Sequence, residues 1–470
     1  MAVAGDPAVA EARLTMALAR QAPAAAADLA RTLGVSVPTL HRWLQALPPG
    51  RLVAAGRARR ARYALRRPVR GLAEDLPVYR VDADGRAELL APLAALHPQG
   101  SLLDLGAGGH WPVPEDARDG WWPGLPYPLY DMRPQGYMGR LFARAEHAAL
   151  GVPADPREWG DDEILHVLAQ RGEDASGNLI VGDAAYRRWL AQRAAPPVPL
   201  EPEATAEAYA ALAQQAVATG VPGSSAAGEF PKFAALRAPP PGSASATPHV
   251  LVKFSGAGGS AAEQRWSDLL VCEHLALHTL GVMGLLPVVG AAISRILSHG
   301  GRTFLEVERF DRHGDGGRSA LCTLETVNAA FVGDASQDWS RLAARLAALE
   351  LLTEDDRAAV ERLWWFGRLI GNTDMHAGNL SFRPADGRLA LAPAYDMLPM
   401  LHAPLAGGEV PQRAFEPPRP LPPQRAVWHA AYAAALRFWE AAAGDARIGD
   451  GFRGLCAAHR EALRQAACVA

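Results

Sequence analysis

Gly371–Met397 reads GNTDMHAGNLSFRPADGRLALAPAYDM, and the order of residue types in it decides the fold. A helix is predicted just upstream. Thr353 opens a T-x-x-D pattern resembling a capping box, RAAVERLWWFGRLI continues it, and Gly371 stops it. Asp374 and Asn379 follow the stop. Asn379–Phe382 fits a short strand, Ala385-Asp386-Gly387 a tight turn, and RLALAP a returning strand, after which comes Asp396. The two aspartates lie 22 positions apart, and the hairpin returns the chain so that both carboxylates and the carboxamide can meet at one mouth. Phosphoryl transfer needs such a set. One carboxylate orients and deprotonates the incoming hydroxyl, while a second carboxylate and an amide oxygen hold Mg²⁺, a hard ion that takes oxygen ligands. Asp374 suits the base, Asn379 and Asp396 the metal, and His376 the ordering of the loop. The plain alternative is polar residues capping turns. D-x-x-x-x-N and A-Y-D are weak patterns singly and gain specificity only in this order, downstream of a strand lysine.

That lysine stands out by composition. Of 47 basic residues only Lys232 and Lys253 are lysine. A chain that uses arginine for generic surface charge keeps lysine where a compact point charge suits phosphate oxygens better than a planar fork. HVLVKFS (His249–Ser255) alternates as a strand carrying Lys253. An amphipathic helix is expected over Ala262–Leu280, with Trp266, Leu269, Leu270, Leu277 and Leu280 on one stripe and Glu273 among them. A carboxylate in an apolar stripe needs a partner. Lys253 would satisfy it, and such a pair is how kinases hold the α- and β-phosphates of ATP. Asp268 is a rival for that role, and Glu273 reaching water at the stripe's edge is the bland alternative. The GAGGS stretch after Lys253 reads as an irregular insertion without a phosphate role.

With 470 residues, 49% of them hydrophobic, the chain is long enough for two or three domains. A net charge of −3 draws the molecule to neither nucleic acid nor membrane as a whole. Cys272, Cys322, Cys456 and Cys468 are scattered, which argues against disulfides or zinc and fits a reducing cytoplasm. No signal peptide and no apolar run of about 18 residues is evident, so no membrane association is expected.

Basic charge is local. Residues 8–70 read as a winged helix-turn-helix. Helices are expected over Ala8–Arg20, Ala24–Leu33 (ending at Gly34) and Val37–Leu47, the last capped by Ser36 with Pro38 in its first turn. Arg51–Arg70 then holds eight arginines and no acid around a Gly-Arg turn, a plausible β-wing. Thr39, His41 and Arg42 would face the major groove, and Arg57, Arg59, Arg60 and Arg62 the phosphates. A small helical bundle with a solvated basic face is the alternative. Between 75 and 195, VYRVDADGRAELLAPL looks like a hairpin, and GWWPGLPYPLYDMRPQGYMGRLFAR like an ordered, packed loop. AAPPVPLEPE (Ala194–Glu203) reads as a linker, and the C-terminal Ala-rich stretches as helical packing.

At GEFPKF (Gly228–Phe233), LVKFS, VERFDR (Val307–Arg312), GNTDMHAGN and PAYDM the chain resembles the HipA-type toxin serine/threonine kinases. The fused N-terminal unit and YDMRPQGYMGR are similar to the YjjJ-like branch. The resemblance implies an α+β, protein-kinase-like fold with a small β-rich N-lobe and a helical C-lobe, preceded by the winged helix-turn-helix. It divides the chain into a DNA-binding domain (1–72), an N-terminal HipA subdomain (73–195), a kinase N-lobe with the nucleotide loop (196–300) and a C-lobe with the catalytic loop (301–470). It implies ATP and Mg²⁺ as cofactors, and Gly228 and Lys232 in the loop over the phosphates. It implies a protein substrate, aminoacyl-tRNA synthetases being targets in the family, autophosphorylation at Ser225 with Ser224 as neighbour, and binding of operator DNA for autoregulation. Winged helices usually bind paired half-sites, which implies a homodimer. The chain departs from the family where Gly378 replaces a lysine two places after the histidine.

Other classes stay open on the residues alone. A DNA-binding regulator that senses nucleotide would bind ATP without transferring phosphate. A Mg²⁺-dependent nuclease would cleave DNA without ATP, although the two lysines have no task there. A small-molecule kinase would share the loop, although the DNA-binding unit does not suit it.

Overall fold

The computed structural model describes residues 7–72, 75–106, 110–218, 230–243, 245, 247–285 and 290–468, with the side chain of Arg59 left out. Ser224, Ser225 and Gly228 lie outside the described residues.

The chain opens with α1 (Pro7–Gln21), β1 (Ala24–Ala25), α2 (Ala26–Leu33) and α3 (Val37–Gln45). Gly34 ends α2 at φ +66°, a conformation with no cost for a residue lacking Cβ. The Ser36 hydroxyl accepts the Thr39 N–H and caps α3. Leu14, Leu18, Leu29, Leu40 and Leu44 close a small core of their own. The first residues expected in α2 instead form β1, which pairs with β3. The arginine-rich segment is a hairpin, β2 (Leu52–Ala55) against β3 (Arg62–Arg66).

The hairpin is not a free wing. β3 also pairs with β5 (Ala87–His97), through Leu65↔His97 and Arg66↔Leu96, and so continues into the sheet of the next unit. A boundary at 72 therefore cuts through a continuous sheet, ordered β1-β3-β5-β4-β8 with β4 at Asp75–Val81 and β8 at Leu179–Val181. Arg51, Arg66, Arg67 and Arg70 are spent on Glu11, Asp75, Asp162 and Glu163. Half of the arginines read as a basic wing thus serve internal docking.

β6 (Ser101–Leu102) and β7 (Trp121–Trp122) extend the sheet. The aromatic and proline-rich stretch read as a loop is largely helical, in α4 (Tyr127–Met132) and α5 (Gly136–Leu150). Tyr127 packs edge-on between Trp111 and Phe331, and this burial outweighs the weak helix preference of the local sequence. α6 (Asp161–Arg171) and α7 (Asp183–Ala194) complete this middle unit.

After α8 (Thr205–Ala218) a second antiparallel sheet runs β11-β12-β10-β9, from β9 (Lys232–Leu236), β10 (His249–Phe254), β11 (Ser294–His299) and β12 (Arg302–Glu308). α9 (Ala261–Val282) packs on it, capped by Ser260 and Glu263 in a reciprocal box. A boundary at 300 falls in the β11–β12 turn. It must move past Glu308, because β12 pairs with both β10 and β11. Beyond the short pair β13 (Arg312–His313) and β14 (Gly317–Arg318) lie β15 (Cys322–Thr323), α10 (Leu324–Phe331), α11 (Trp339–Ala348) and α12 (Glu354–Leu369). The hairpin β16 (Ser381–Ala385) and β17 (Arg388–Leu391), α13 (Arg425–Gly444) and α14 (Asp450–Ala467) finish the chain. Among the described residues, no helix is long and apolar enough to cross a membrane.

Candidate active site

Lys253 points inward from β10 and is buried. Its ammonium donates to both oxygens of Glu273 at 2.8 Å and also to Asp396. The helical stripe that holds Leu269, Leu270 and Leu277 places Glu273 under the strand, as its spacing requires. Asp268, the rival, turns the other way: it accepts the Gly449 N–H at 2.8 Å at the start of α14 and the Gln264 amide at 2.9 Å.

The two lysines of the chain stand directly opposite each other in the β9–β10 pairing. Directly opposed residues share a face of the sheet, and two like charges there repel unless anions compensate. Lys253 has two carboxylates. Lys232 adds to the field that holds Asp396 down. Burial would raise the Asp396 carboxyl, but Lys253 and then Lys232 outweigh it, and its pKa falls to about 2. Burial raises Glu273 above the usual carboxylate range, with Lys253 opposing. Burial alone would lower Lys253, yet Asp396 and Glu273 together hold it above the ordinary lysine value.

The loop after α12 is folded by its own polar groups. Asn372 accepts the Asp374 N–H on its side-chain oxygen at 3.0 Å and donates its amide to the Asp396 carbonyl at 3.2 Å. The Asn379 amide donates to the Asp374 carbonyl at 2.9 Å. The His376 ring accepts the Gly378 N–H at 3.1 Å and caps the turn Ala377–Asn379. The β16–β17 hairpin, turned at Asp386 and Gly387 with positive φ, brings the chain back to Asp396. Asp396 itself has φ +55°, a left-handed conformation uncommon outside glycine and often kept where a side chain must be aimed. Asp374 is exposed at the mouth.

These residues suit a Mg²⁺–nucleotide. The Asn379 nitrogen is used inside the loop, which leaves its oxygen as the group for a hard cation beside the Asp396 carboxylate. Two protein oxygens are few, which fits Mg²⁺, an ion that keeps waters and phosphate oxygens in its shell. The paired lysines on the sheet could supply charge for a polyphosphate. Among the described residues no cluster of three His, Cys, Asp or Glu forms a self-sufficient metal site. Gly378 does not make room for a longer side chain: a Cβ there would lie 2.9 Å from the His376 ring.

Several further residues hold the site together. Asn372 stands in the quoted motif but drew no role, and its link to Asp396 spans 24 residues. VERFDR carries a docking hub as well. Arg309 and Arg312 both pair with Asp174 of the middle unit, and Asp311 accepts the Gly177 N–H at 3.0 Å. Behind the sheet, fully buried Arg237 joins Glu306 at 2.8 Å and Glu308 at 2.6 Å.

At the N-terminal end, His41 and Arg42 are exposed on α3, and Arg42 donates to Thr39 Oγ1 at 3.1 Å. Arg57, Arg60 and Arg62 are exposed on the hairpin tip, and the Arg60 guanidinium lies 3.9 Å from Asp119. A groove of about 660 Å³ runs between that tip and the middle unit, lined by Arg60, Arg62, Arg118, Asp28, Asp116 and Asp119 among others.

Comparison with known proteins gives the following. A family model described as the YjjJ-like toxin middle domain matches residues 72–190, and one described as the HipA-like C-terminal domain matches residues 224–441. Toxin YjjJ of Escherichia coli (strain K12) is 38% identical over 446 residues, covering 95% of this chain and 96% of that protein. The solved complex of the HipA and HipB toxin–antitoxin system of Shewanella oneidensis MR-1 with its operator DNA contains a chain aligned with a TM-score of 0.45 at 16% identity. The alignment covers 83% of this chain and 95% of that one. The Helicobacter pylori proinflammatory kinase CtkA aligns with a TM-score of 0.32 at 11% identity, over 46% of this chain and 84% of that one.

Proposed function

The chain belongs to the HipA-type toxin family, and from that premise we propose that it is an ATP- and Mg²⁺-dependent serine/threonine protein kinase that binds operator DNA through its N-terminal unit. The observation that carries the reading is the buried Lys253–Glu273 pair, joined by half-buried Asp396, with Lys232 directly opposite Lys253. Burying two charges, with a third half-buried beside them, costs several kcal/mol per buried ion unless the geometry repays it. A site that keeps them, and sets a second lysine beside the first, is prepared for a polyanion.

In this reading Lys253 and Lys232 hold phosphate oxygens, and Glu273 keeps Lys253 aimed. Asn379 and Asp396 hold Mg²⁺, which when bound neutralises charge on the transferred phosphoryl group. Asp374, exposed at the mouth, accepts the proton of the incoming hydroxyl. The substrate is a protein, with an aminoacyl-tRNA synthetase as one target class that the family offers. Autophosphorylation falls on Ser225 or Ser224. α3 with Thr39, His41 and Arg42, and the hairpin tip with Arg57, Arg59, Arg60 and Arg62, form a winged helix-turn-helix face for DNA, bound as a homodimer. Gly378, in place of a lysine, leaves the transferred phosphoryl with one cation fewer.

The test is to incubate the purified protein with ATP labelled on the terminal phosphate, with and without Mg²⁺, beside labelled duplex DNA. Mg²⁺-dependent incorporation into protein with the DNA intact supports the reading. Nucleotide binding without incorporation would favour a nucleotide-sensing regulator, which Gly378 keeps in view. DNA cleavage without ATP would replace both with a nuclease.

A further inference from the structure

Asp131 belongs to YDMRPQGYMGR, a motif to which the site described above gives no task. It lies in α4 of the middle unit, yet its carboxylate accepts three hydrogen bonds from another part of the chain. They come from the Thr323 N–H at 2.6 Å, the Thr323 hydroxyl at 2.8 Å and the Thr326 hydroxyl at 2.6 Å. All three converge on the corner where β15 turns into α10, and Thr323 is the N-cap of that helix. Enclosure pushes the Asp131 carboxyl up to about 6 despite the opposing hydrogen bonds from Thr326 and Thr323. The fold thus keeps an anion where it is costly to do so.

The other side of the corner holds the catalytic loop. The Leu324 N–H donates to the Leu380 carbonyl at 2.7 Å, one residue past Asn379. Thr323 stands opposite Ser381 in the β15–β16 pairing. Ser381 Oγ lies 2.8 Å from the Tyr395 hydroxyl, which donates to the Gly378 carbonyl at 2.9 Å. Tyr395 immediately precedes Asp396. Short backbone and hydroxyl links therefore run without a gap from Asp131 to the segments that carry Asn379 and Asp396.

We propose that Asp131 is a positioning residue for phosphoryl transfer: from the middle unit it fixes the β15–α10 corner, and through Leu324 and Ser381 the backbone bearing Asn379 and Asp396. The inference rests on the kinase reading above. It gives the middle unit a direct hold on the site, which a passive packing role would not.

The experiment uses the full chain with Asp131→Asn, Thr326→Val and Thr326→Ser. Phosphate transfer with Mg²⁺-ATP is measured alongside backbone hydrogen exchange and thermal stability. Asp131→Asn and Thr326→Val are expected to lower kcat roughly 10- to 100-fold with KM for ATP within about twofold. Exchange should quicken at Leu324 and over residues 379–382 while α12 keeps its protection, and Thr326→Ser should behave as the parent. Unchanged kcat and unchanged exchange would overturn the proposal. So would exchange quickened throughout the chain together with a lowered melting temperature, which marks a merely structural contact. If Asp131→Asn does not fold, Thr326→Val carries the test alone. If the parent protein transfers no phosphate, the kinase reading falls, and local exchange still decides the linkage: quickened at the loop it stands, unchanged it fails.

Discussion

An ammonium that donates to two carboxylates at once, as Lys253 does, fixes the distance between a strand, a helix and a loop from three parts of the chain. Two of these three groups were readable in the residues. The scarcity of lysine marked Lys253, and helical spacing put Glu273 on the buried stripe. The third was not assigned, since Asp396 read as a metal ligand rather than as a partner of Lys253 across 143 residues. Asn372 escaped for a similar reason, because its contact with the Asp396 carbonyl follows only once the hairpin closes. Gly378 yields a prediction at this scale. Its missing side chain lets the His376 ring lie over the turn, so Gly378→Ala should displace that cap. Transfer should then fall roughly 10- to 100-fold, as loss of about an ångström of alignment does. Steady-state kinetics at saturating ATP checks it, and an unchanged kcat would remove the ordering role of His376.

Among the elements, the second sheet is held from behind by ions rather than by apolar packing alone. Arg237→Leu would leave Glu308 without its cation and Glu306 with Arg295 and the Tyr209 hydroxyl. The expected loss is about 3–5 kcal/mol, read from urea unfolding. A second element, α14, is sealed by a buried pair, His459 against His402, with their Nε2 atoms 2.8 Å apart. Burial draws His402 down to about 3 and His459 to about 4, with repulsion from His459 adding to the first. Both stay neutral when folded, while the unfolded chain binds protons near the ordinary value of 6.5. The unfolded state therefore holds more protons below that value, and stability falls with pH, by up to about 1.4 kcal/mol per pH unit per histidine. Melting temperatures between about pH 7 and about pH 5 carry this contribution, and replacing both histidines by Phe should reduce the slope by that amount. Element boundaries were the weaker part of the sequence reading. β12 was placed with the helical lobe, because a strand that belongs to an earlier sheet looks locally no different from one that begins a new unit.

At the scale of the molecule, the N-terminal hairpin is an edge of the middle sheet and not a tethered wing. Sequence showed eight arginines without an acid. It could not show that Asp162 and Glu163, over ninety residues away, would take Arg67 and Arg70. The two sets of arginines should therefore behave differently. Arg62→Ala at the exposed tip should weaken DNA binding uniformly across sequences and reduce the salt slope by about 1. Arg67→Ala should leave that slope unchanged and lower the melting temperature of the joined sheet. Fluorescence anisotropy over a salt series separates them, and equal slopes for parent and Arg62→Ala would take the tip out of the DNA face.

In the proposed function the Lys253, Asp374, Asn379 and Asp396 constellation transfers phosphate. The most direct measurement is the intact mass of the purified protein before and after incubation with Mg²⁺-ATP, beside the Asp374→Ala variant. A gain of one phosphate in the parent, absent in Asp374→Ala and mapping to Ser224 or Ser225, is the predicted result. An unmodified parent, or a variant that gains phosphate equally, would contradict it.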